Sequence, residues 1–459
     1  MYHLNFQKPV HVHFIGIGGI SMSGLAEILL AEGFSVSGSD SRQSELTECL
    51  KEKGAIIFIG QKAENIAASP DLIVYTAAIH EENEEFAAAR RAGIPMLSRA
   101  ELLGQIMEHY HRSIAVAGTH GKTTTTSMVS HILLAADADP TISLGGILTA
   151  IGGNIRVGRS EVFLTEACEY TNSFLHFYPR YSIITNIEAE HLDFFKNIEQ
   201  IRQSFHEFAA NTSPEGALII NGEIEELQTV TDGLSCHVVT YGLCEENDFY
   251  AKNITFDDQG YPTYTAMCRK DTLGTIHLRV PGTHNVSNSL AAVALCHTMG
   301  FPMETIISGL SEFFGTKRRF EYKGSFQGAT IIDDYAHHPT EVEATLSASA
   351  NYPHNRIICV FQPHTYSRTQ AFYKDFGRVL TLADVVILTD IYAAREQNPG
   401  NVTSELILNE LKNTETECHY IPDFSDVEKF LLKKCTNNDL LITMGAGDIY
   451  QIGENLLHT

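Results

Sequence analysis

The stretch Ile114–Thr126, IAVAGTHGKTTTT, restricts the fold of this chain more than any other. Ile114–Ala117 reads as a buried strand, Gly118, Thr119, His120 and Gly121 as a loop, and Lys122 with the threonines after it as the start of a helix. A strand that breaks into a glycine loop and resumes as a helix aims backbone N–H groups and a positive helix end at one point, which suits a nucleotide triphosphate. Lys122 brings a mobile ammonium to the β- and γ-phosphates, and the hydroxyl of Thr123 or Thr124 is placed to ligate Mg2+. The loop is shorter than the usual G-x-x-x-x-G-K-[ST], because Val116 stands where the first glycine would be. A plain glycine turn before a Thr-rich helix is the rival reading, and it does not call for all these parts in this order.

Such a loop belongs to α/β folds, and the rest of the chain agrees. The 459 residues suggest about three domains. From Val10 to His109, apolar runs (VHVHFIGI, FSVSGSD, AIIFIG, DLIVYTAAI) alternate with helical stretches (SGLAEILLAEG, EEFAAARRAG), the pattern of a parallel, Rossmann-like sheet. The block from Arg112 to Thr316 is a P-loop ATPase-type α/β domain. It carries strand ends at EVFLTEACEY and YSIITNIEAEHLDFF, β-hairpin additions after Asp248, and a helix in PGTHNVSNSLAAVALCHTMG. From Lys317 to Thr459, ATIIDDY, RIICVFQP, DVVILTDIY and DLLITMGAG predict a second, smaller Rossmann-like sheet. The expected domains are 1–111, 112–316 and 317–459.

Charge and cysteine use narrow the function. Lys+Arg is 32 against 56 Asp+Glu, a net charge of −24, which argues against nucleic acid as partner. Nine scattered cysteines without a C-x-x-C pair read as buried free thiols. No apolar run of roughly 18 residues predicts a membrane span, and the N-terminus lacks a signal-peptide core. A cytoplasmic protein, with no membrane partner, is the expectation.

Several side chains fall at strand ends, where open α/β sheets meet their ligands. Glu169 is the better Mg2+ candidate, with Glu166 behind it, because a hard cation takes carboxylate oxygens beside phosphate. His191 follows the end of the next strand. In the first block, Gly16, Gly18 and Gly19 form a dinucleotide-type turn with Ser21 in the third glycine's place, and Asp40 ends the second strand. That turn suits a nucleotide-sugar phosphate, NAD(P), or no ligand at all. Asp333, Asp334, His337 and His338 share one turn and suggest ribose or amine contacts. Zinc is disfavoured, since no Cys or third His stands at metal spacing. His364 and Arg368 follow, and an Arg there could clamp a carboxylate with both arms.

Read together, GIGGISMSGLA, AGTHGKTTTT, EACEYTNSFL, TNIEAEHLDFF, PGTHNVSNSLAA, GTKRRFE, DDYAHHPTEV, FQPHTYSRT and TMGAGDIY resemble the Mur ligase family, in order and over nearly the whole chain. The opening turn and the DDYAHHPTEV and FQPHTYSRT pair resemble its alanine-adding branch. The resemblance implies an ATP-dependent ligase that joins L-alanine to the carboxylate of UDP-N-acetylmuramate through an acyl phosphate, in peptidoglycan synthesis. It implies Mg2+ at Thr123 and Glu169, with His191 holding a second metal, and a monomer or homodimer. Asn285 and Asn288 become adenine contacts, Arg319 a nucleotide contact, and Asp334 a group near ribose or phosphate. His337, His364 and Arg368 become the pocket for alanine and the reacting carboxylate. The first glycine turn holds the uridine nucleotide, so NAD is not expected. A sister ligase that attaches a peptide to the same sugar nucleotide is the alternative. Two residues depart from the family pattern. His206 stands 15 residues past His191, where several relatives place a carboxylated lysine, and Thr365 stands where others carry a second arginine.

Overall fold

The computed structural model describes residues 2–67, 69–76, 78–192, 194–394 and 396–459. It divides into two units, one of Met1–Glu188, Ile198–Thr240 and Ala294–Phe301, the other of Ala189–Asn197, Tyr241–Val293 and Pro302–Thr459.

The first unit begins with five parallel strands, β1 (His11–Ile15), β2 (Ser35–Asp40), β3 (Ile56–Ile59), β4 (Leu72–Tyr75) and β5 (Met96–Ser98), in the order β3-β2-β1-β4-β5. The order reverses between β1 and β4, and the glycine turn leaves β1 at that switch, where such sheets bind ligands. The helices that return between strands are capped by their own sequence. Asn83 accepts from Glu85 N and Phe86 N at the start of Glu84–Ala92, and left-handed Gly93 ends it. Under the turn lies a polar chain that is buried except at His11. His11 Nε2 and His13 Nδ1 both meet Ser37 Oγ (2.8 and 2.7 Å), His13 Nε2 meets Glu85 Oε1 (2.8 Å), and Ser39 Oγ donates to Glu85 Oε2.

The same unit continues with β6 (Arg112–Ala117), β7 (Thr141–Leu148), β8 (Gly153–Arg156), β9 (Val162–Glu166), β10 (Tyr181–Ile184) and β11 (Ala217–Asn221), ordered β11-β10-β6-β9-β7-β8. All neighbours are parallel except β7 with β8. β6 lies between β9 and β10, so the phosphate loop emerges flanked by the ends of EVFLTE and YSII.

The next strand, β12 (His237–Gly242), ends in the second unit, where Tyr241 and Gly242 pair with β13 (Phe249–Phe256). β13, β14 (Pro262–Cys268) and β15 (Asp271–His277) form the expected antiparallel hairpins. Six more strands follow, β16 (Glu321–Phe326), β17 (Ala329–Asp334), β18 (Ile357–Phe361), β19 (Val385–Leu388), β20 (Glu417–Tyr420) and β21 (Leu440–Met444), ordered β16-β17-β21-β18-β19-β20. β16 is antiparallel and the rest parallel. Alternate residues serve two cores. Ile332, Cys359, Phe361 and Ile442 pack on one face, Ile331, Ile358, Val360 and Leu441 on the other. This sheet is larger than the first, not smaller. The sequence reading named no strand at β5, β7, β8, β11, β12, β16 or β20.

Candidate functional site

The phosphate loop is held rigid by the end of β10. Gly118 has φ +139°, and a Cβ there would come 1.9 Å from Thr185 Oγ1, so only glycine fits. Asn186 brackets His120, accepting from its N–H at 2.8 Å and donating to its carbonyl at 3.1 Å, and Thr185 Oγ1 donates to that carbonyl at 2.6 Å. Thr119 Oγ1 accepts from Glu188 N (2.9 Å), and His120 Nε2 stands 3.6 Å from Glu188. Gly121, with φ +79°, is the N-cap of the helix Lys122–Ala135 and supplies no side-chain acceptor, so the first-turn N–H groups face outward for an anion.

Lys122 Nζ donates to Glu169 Oε2 (3.0 Å), to Thr119 O (3.0 Å) and to Gly118 O. Burial works to discharge it, but Glu169 first, then Cys168 and Glu166, overrule that and raise its pKa. The ammonium is firmly charged. Thr123 Oγ1 donates to Glu166 Oε2 (2.9 Å), whose other oxygen accepts from Gly145 N (2.7 Å). Thr123, rather than Thr124, is thus the hydroxyl that faces an acid. Thr123, Glu166 and Glu169 form an all-oxygen donor set beside the loop, which suits Mg2+.

At the first glycine turn, Gly16 (φ +87°) and Ile17 donate their N–H groups to Ser39 O at 2.8 and 2.9 Å. Asp40 Oδ2 accepts from Gly18 N at 2.9 Å, and a Cβ on Gly18 would press against that same carboxylate. Asp40, expected on the substrate side, therefore holds the turn itself. Gly19 caps the helix Ile20–Ala31 without a side-chain acceptor. Ser21 Oγ accepts from Arg99 Nη1 at 3.1 Å.

In the second unit the Arg368 fork closes on a protein acid. Its Nε and Nη2 both donate to Glu190 Oε1 (3.2 and 2.8 Å), and its Nη1 donates to His364 Nδ1 (2.8 Å). Burial alone would raise the Glu190 pKa, yet the guanidinium holds it down at about 2. The pair is therefore fully ionised at neutral pH. His191 follows Glu190 in a left-handed turn (φ +54°), donating its N–H to Glu190 Oε1 at 3.1 Å. His337 Nδ1 faces two acceptors, Tyr335 O (2.9 Å) and Glu341 Oε2 (3.1 Å), which puts the proton on Nδ1 and the lone pair on Nε2. Burial, against the pull of Glu341 and with the push of Arg368, lowers the His337 pKa to about 4. Burial, then His337 and Arg368, takes His364 down to about 3. Both rings are neutral.

Arg318 is bound inward, by Asp333 (2.9 Å) and the carbonyls of Gly445 (2.7 Å) and Gly447 (2.9 Å). Arg319 lies over the Tyr335 ring and stands 3.7 Å from Glu341. Asp334 accepts from Phe320 N and Ala336 N, each at 2.8 Å, and burial, opposed by Arg319, raises its pKa to about 6. Asn285 Nδ2 donates to Pro281 O (2.7 Å), and Asn288 Nδ2 to Asn285 Oδ1 (3.2 Å).

Comparison with known proteins agrees along the chain. Residues 11–111 match the family description "Mur ligase family, catalytic domain", 116–296 "Mur ligase middle domain" and 318–447 "Mur ligase, glutamate ligase domain". The chain belongs to the Mur ligase family. A curated Mur ligase of Agathobacter rectalis, UDP-N-acetylmuramate–L-alanine ligase, is 62% identical over 100% of both chains. The crystal structure of UDP-N-acetylmuramate-alanine ligase from Thermotoga maritima is similar at 30% identity, with TM-score 0.80 and 98% of each chain covered. A murein peptide ligase from Psychrobacter arcticus is similar at 25% identity, with TM-score 0.69 and 98% coverage of each. The three-domain α/β class read from the sequence is that of these Mur ligases.

Other expected roles change in this Mur ligase. Arg368 does not offer an open two-armed clamp, because Glu190 occupies that edge. Asp333 is fully buried against Arg318 and Thr443 and drops out of the site. His206 is engaged with Val230 O (3.0 Å). Thr365 has a structural reason, since it caps the helix Tyr366–Leu380 by accepting from Arg368 N. Glu190 and Arg99 were missed by the sequence reading. The segment EAEHLD marks Glu190 only as one acid among several, and a capping pattern at Ser98–Glu101 says nothing of where the Arg99 side chain goes.

Proposed function

We propose that this chain is an ATP-dependent ligase that forms an amide between L-alanine and the lactyl carboxylate of UDP-N-acetylmuramate, releasing ADP and phosphate. One observation carries the chemistry, a charged Lys122 beside the oxygen set of Thr123, Glu166 and Glu169 on a phosphate loop. The choice of alanine rests on the relative of that name at 62% identity. The functional segments are 1–111 for the sugar nucleotide, 112–316 for ATP, and 317–459 for the amino acid and part of the nucleotide.

A carboxylate does not acylate an amine, because oxide is a poor leaving group, so it is first phosphorylated. The acid and the γ-phosphate repel each other, and cations must screen the approach. Lys122 does this from the loop. Mg2+, held by Thr123 and Glu169 with Glu166 behind them, supplies further charge neutralisation when bound. His191 remains the candidate ligand for a second metal. Asn285, Asn288 and Arg319 bind the nucleotide, with Asp334 fixing the Arg319–Phe320 turn. The alanine amine must lose a proton before it attacks the acyl phosphate. His337 Nε2 carries a lone pair for that proton, and Arg368, through His364 and Glu190, shapes the pocket around it. The cytoplasm supplies ATP and both substrates.

The test is mass spectrometry of products from ATP, UDP-N-acetylmuramate and either alanine, glycine, serine or a tripeptide. A dominant alanyl product supports the reading. A peptide adduct in its place would assign the chain to the murein peptide ligase type, whose likeness in fold is noted above, and ATP binding with no adduct would reject both.

A further inference from the structure

Beside the first glycine turn stands a half-buried cation with no acid to match it. Arg99 opens the helix Arg99–His109, and the nearest acid on its own helix is already engaged. Glu101 Oε2 accepts from Ser98 N (2.6 Å) while Ser98 Oγ accepts from Glu101 N (3.3 Å), a closed capping box. The Arg99 guanidinium turns the other way and donates Nη1 to Ser21 Oγ at 3.1 Å. Among the described residues no carboxylate pairs with it. Burial lowers its pKa, and the Cys168 thiol alone opposes this. Of the other enclosed arginines, Arg368 is matched by Glu190, Arg318 by Asp333 and Arg202 by Glu226, while Arg112 donates to the Met299 carbonyl and lies over the Phe301 ring. Even partial withdrawal of a guanidinium from water without a counter-charge carries a cost, and that cost is recovered when an anion arrives.

We infer that Arg99 is a ligand of the diphosphate of the uridine nucleotide, held in readiness by Ser21. This rests on the reading of the glycine turn as the sugar-nucleotide site. A diphosphate suits the position on three counts. It is an anion, it accepts two parallel N–H bonds in the planar geometry of the fork, and Ser21 lies in the turn that approaches it. The donors left on Arg99 after the Ser21 bond are those the phosphate oxygens take.

The experiment is calorimetric titration of UDP into wild type, Arg99→Gln and Arg99→Lys, with ADP titrated into each as a control. Charge-assisted hydrogen bonds of this kind predict a loss of about 10- to 100-fold in UDP affinity for Arg99→Gln. Arg99→Lys, which keeps the charge but loses the fork, should fall between. ADP affinity should not move in either variant, a result that a merely structural role for Arg99 does not produce. Equal UDP affinity in all three proteins would overturn the role of Arg99 alone. Loss of ADP rather than UDP affinity would overturn it in favour of the other phosphate site. Failure of wild type to bind UDP would overturn the reading of the turn itself. Thermal midpoints of the variants identify misfolding, and the lysine form keeps the test open if the glutamine form does not fold.

Discussion

Lys122→Met should lower turnover by about three orders of magnitude. In the structure the ammonium makes contacts of 3.0 Å with Glu169 and with Thr119 O, so it is already a contact-distance cation at the loop. A unit charge about 4 Å from a phosphate oxygen contributes roughly 4 kcal/mol at an effective dielectric of about 20. If that contribution is realised as the acid approaches the γ-phosphate, its loss is about 10³-fold in rate. Methionine keeps the length of the side chain and removes only the charge. It also deprives Glu169, which is 2% exposed, of its cation. A buried carboxylate that loses its ammonium destabilises by about 3–5 kcal/mol, so a fall in thermal midpoint is expected as well. The Lys122→Met/Glu169→Gln double variant separates the two effects, since its midpoint should recover while its turnover does not. The assay is phosphate release at saturating ATP, UDP-N-acetylmuramate and alanine. Turnover of Lys122→Met within about tenfold of wild type would refute the screening argument.

Gly118→Ala drives a Cβ into Thr185 Oγ1 and should cost about 100-fold in kcat through displacement of the loop; unchanged kinetics would mean that the loop is not the phosphate site. Arg368→Met should raise the KM for alanine more than that for ATP, and should lower the thermal midpoint by leaving Glu190 buried and unpaired, at about 3–5 kcal/mol. Equal changes in the two KM values would reject an alanine-side role. Because His337 and His364 stay neutral down to about pH 4 and 3, kcat/KM for alanine should show no acid-side titration near 6.5 from these rings. The unfolded chain binds their protons first as pH falls, so their stabilisation is complete above about 6.5 and is lost from there toward 4. Asp334, raised to about 6, acts in the opposite sense as pH rises through that value. Midpoints measured from pH 8 to 5 should fall in wild type and flatten when both histidines become glutamine.

The strands that are legible in the sequence are those buried on both faces, such as IICVF and LLITM, where an unbroken apolar run leaves little choice. β20, ECHY, is mostly half-exposed and offers no such run. At the candidate site, residues whose place is fixed by the local chain were readable. Gly118, Lys122 and Thr123 follow from the strand–loop–helix order, and Glu166 from the end of β9. Contacts between residues distant in sequence were not. Arg368 and Glu190 are 178 positions apart, and Arg99 and Ser21 are 78 apart. Neither separation leaves a periodic trace. Asp40 shows the same limit, since its place at a strand end was clear and its partner, the Gly18 N–H, was not.

The polar chain from His11 through Ser37, His13 and Glu85 to Ser39 also bears on how this protein evolves. Replacing one member leaves its neighbours' buried groups without partners, at about 1–3 kcal/mol each, whereas replacing the set with apolar residues of like shape is close to neutral. Intermediate genotypes are thus less fit than either end. Lineages should carry the whole ensemble or an oily substitute for it, with few mosaics between.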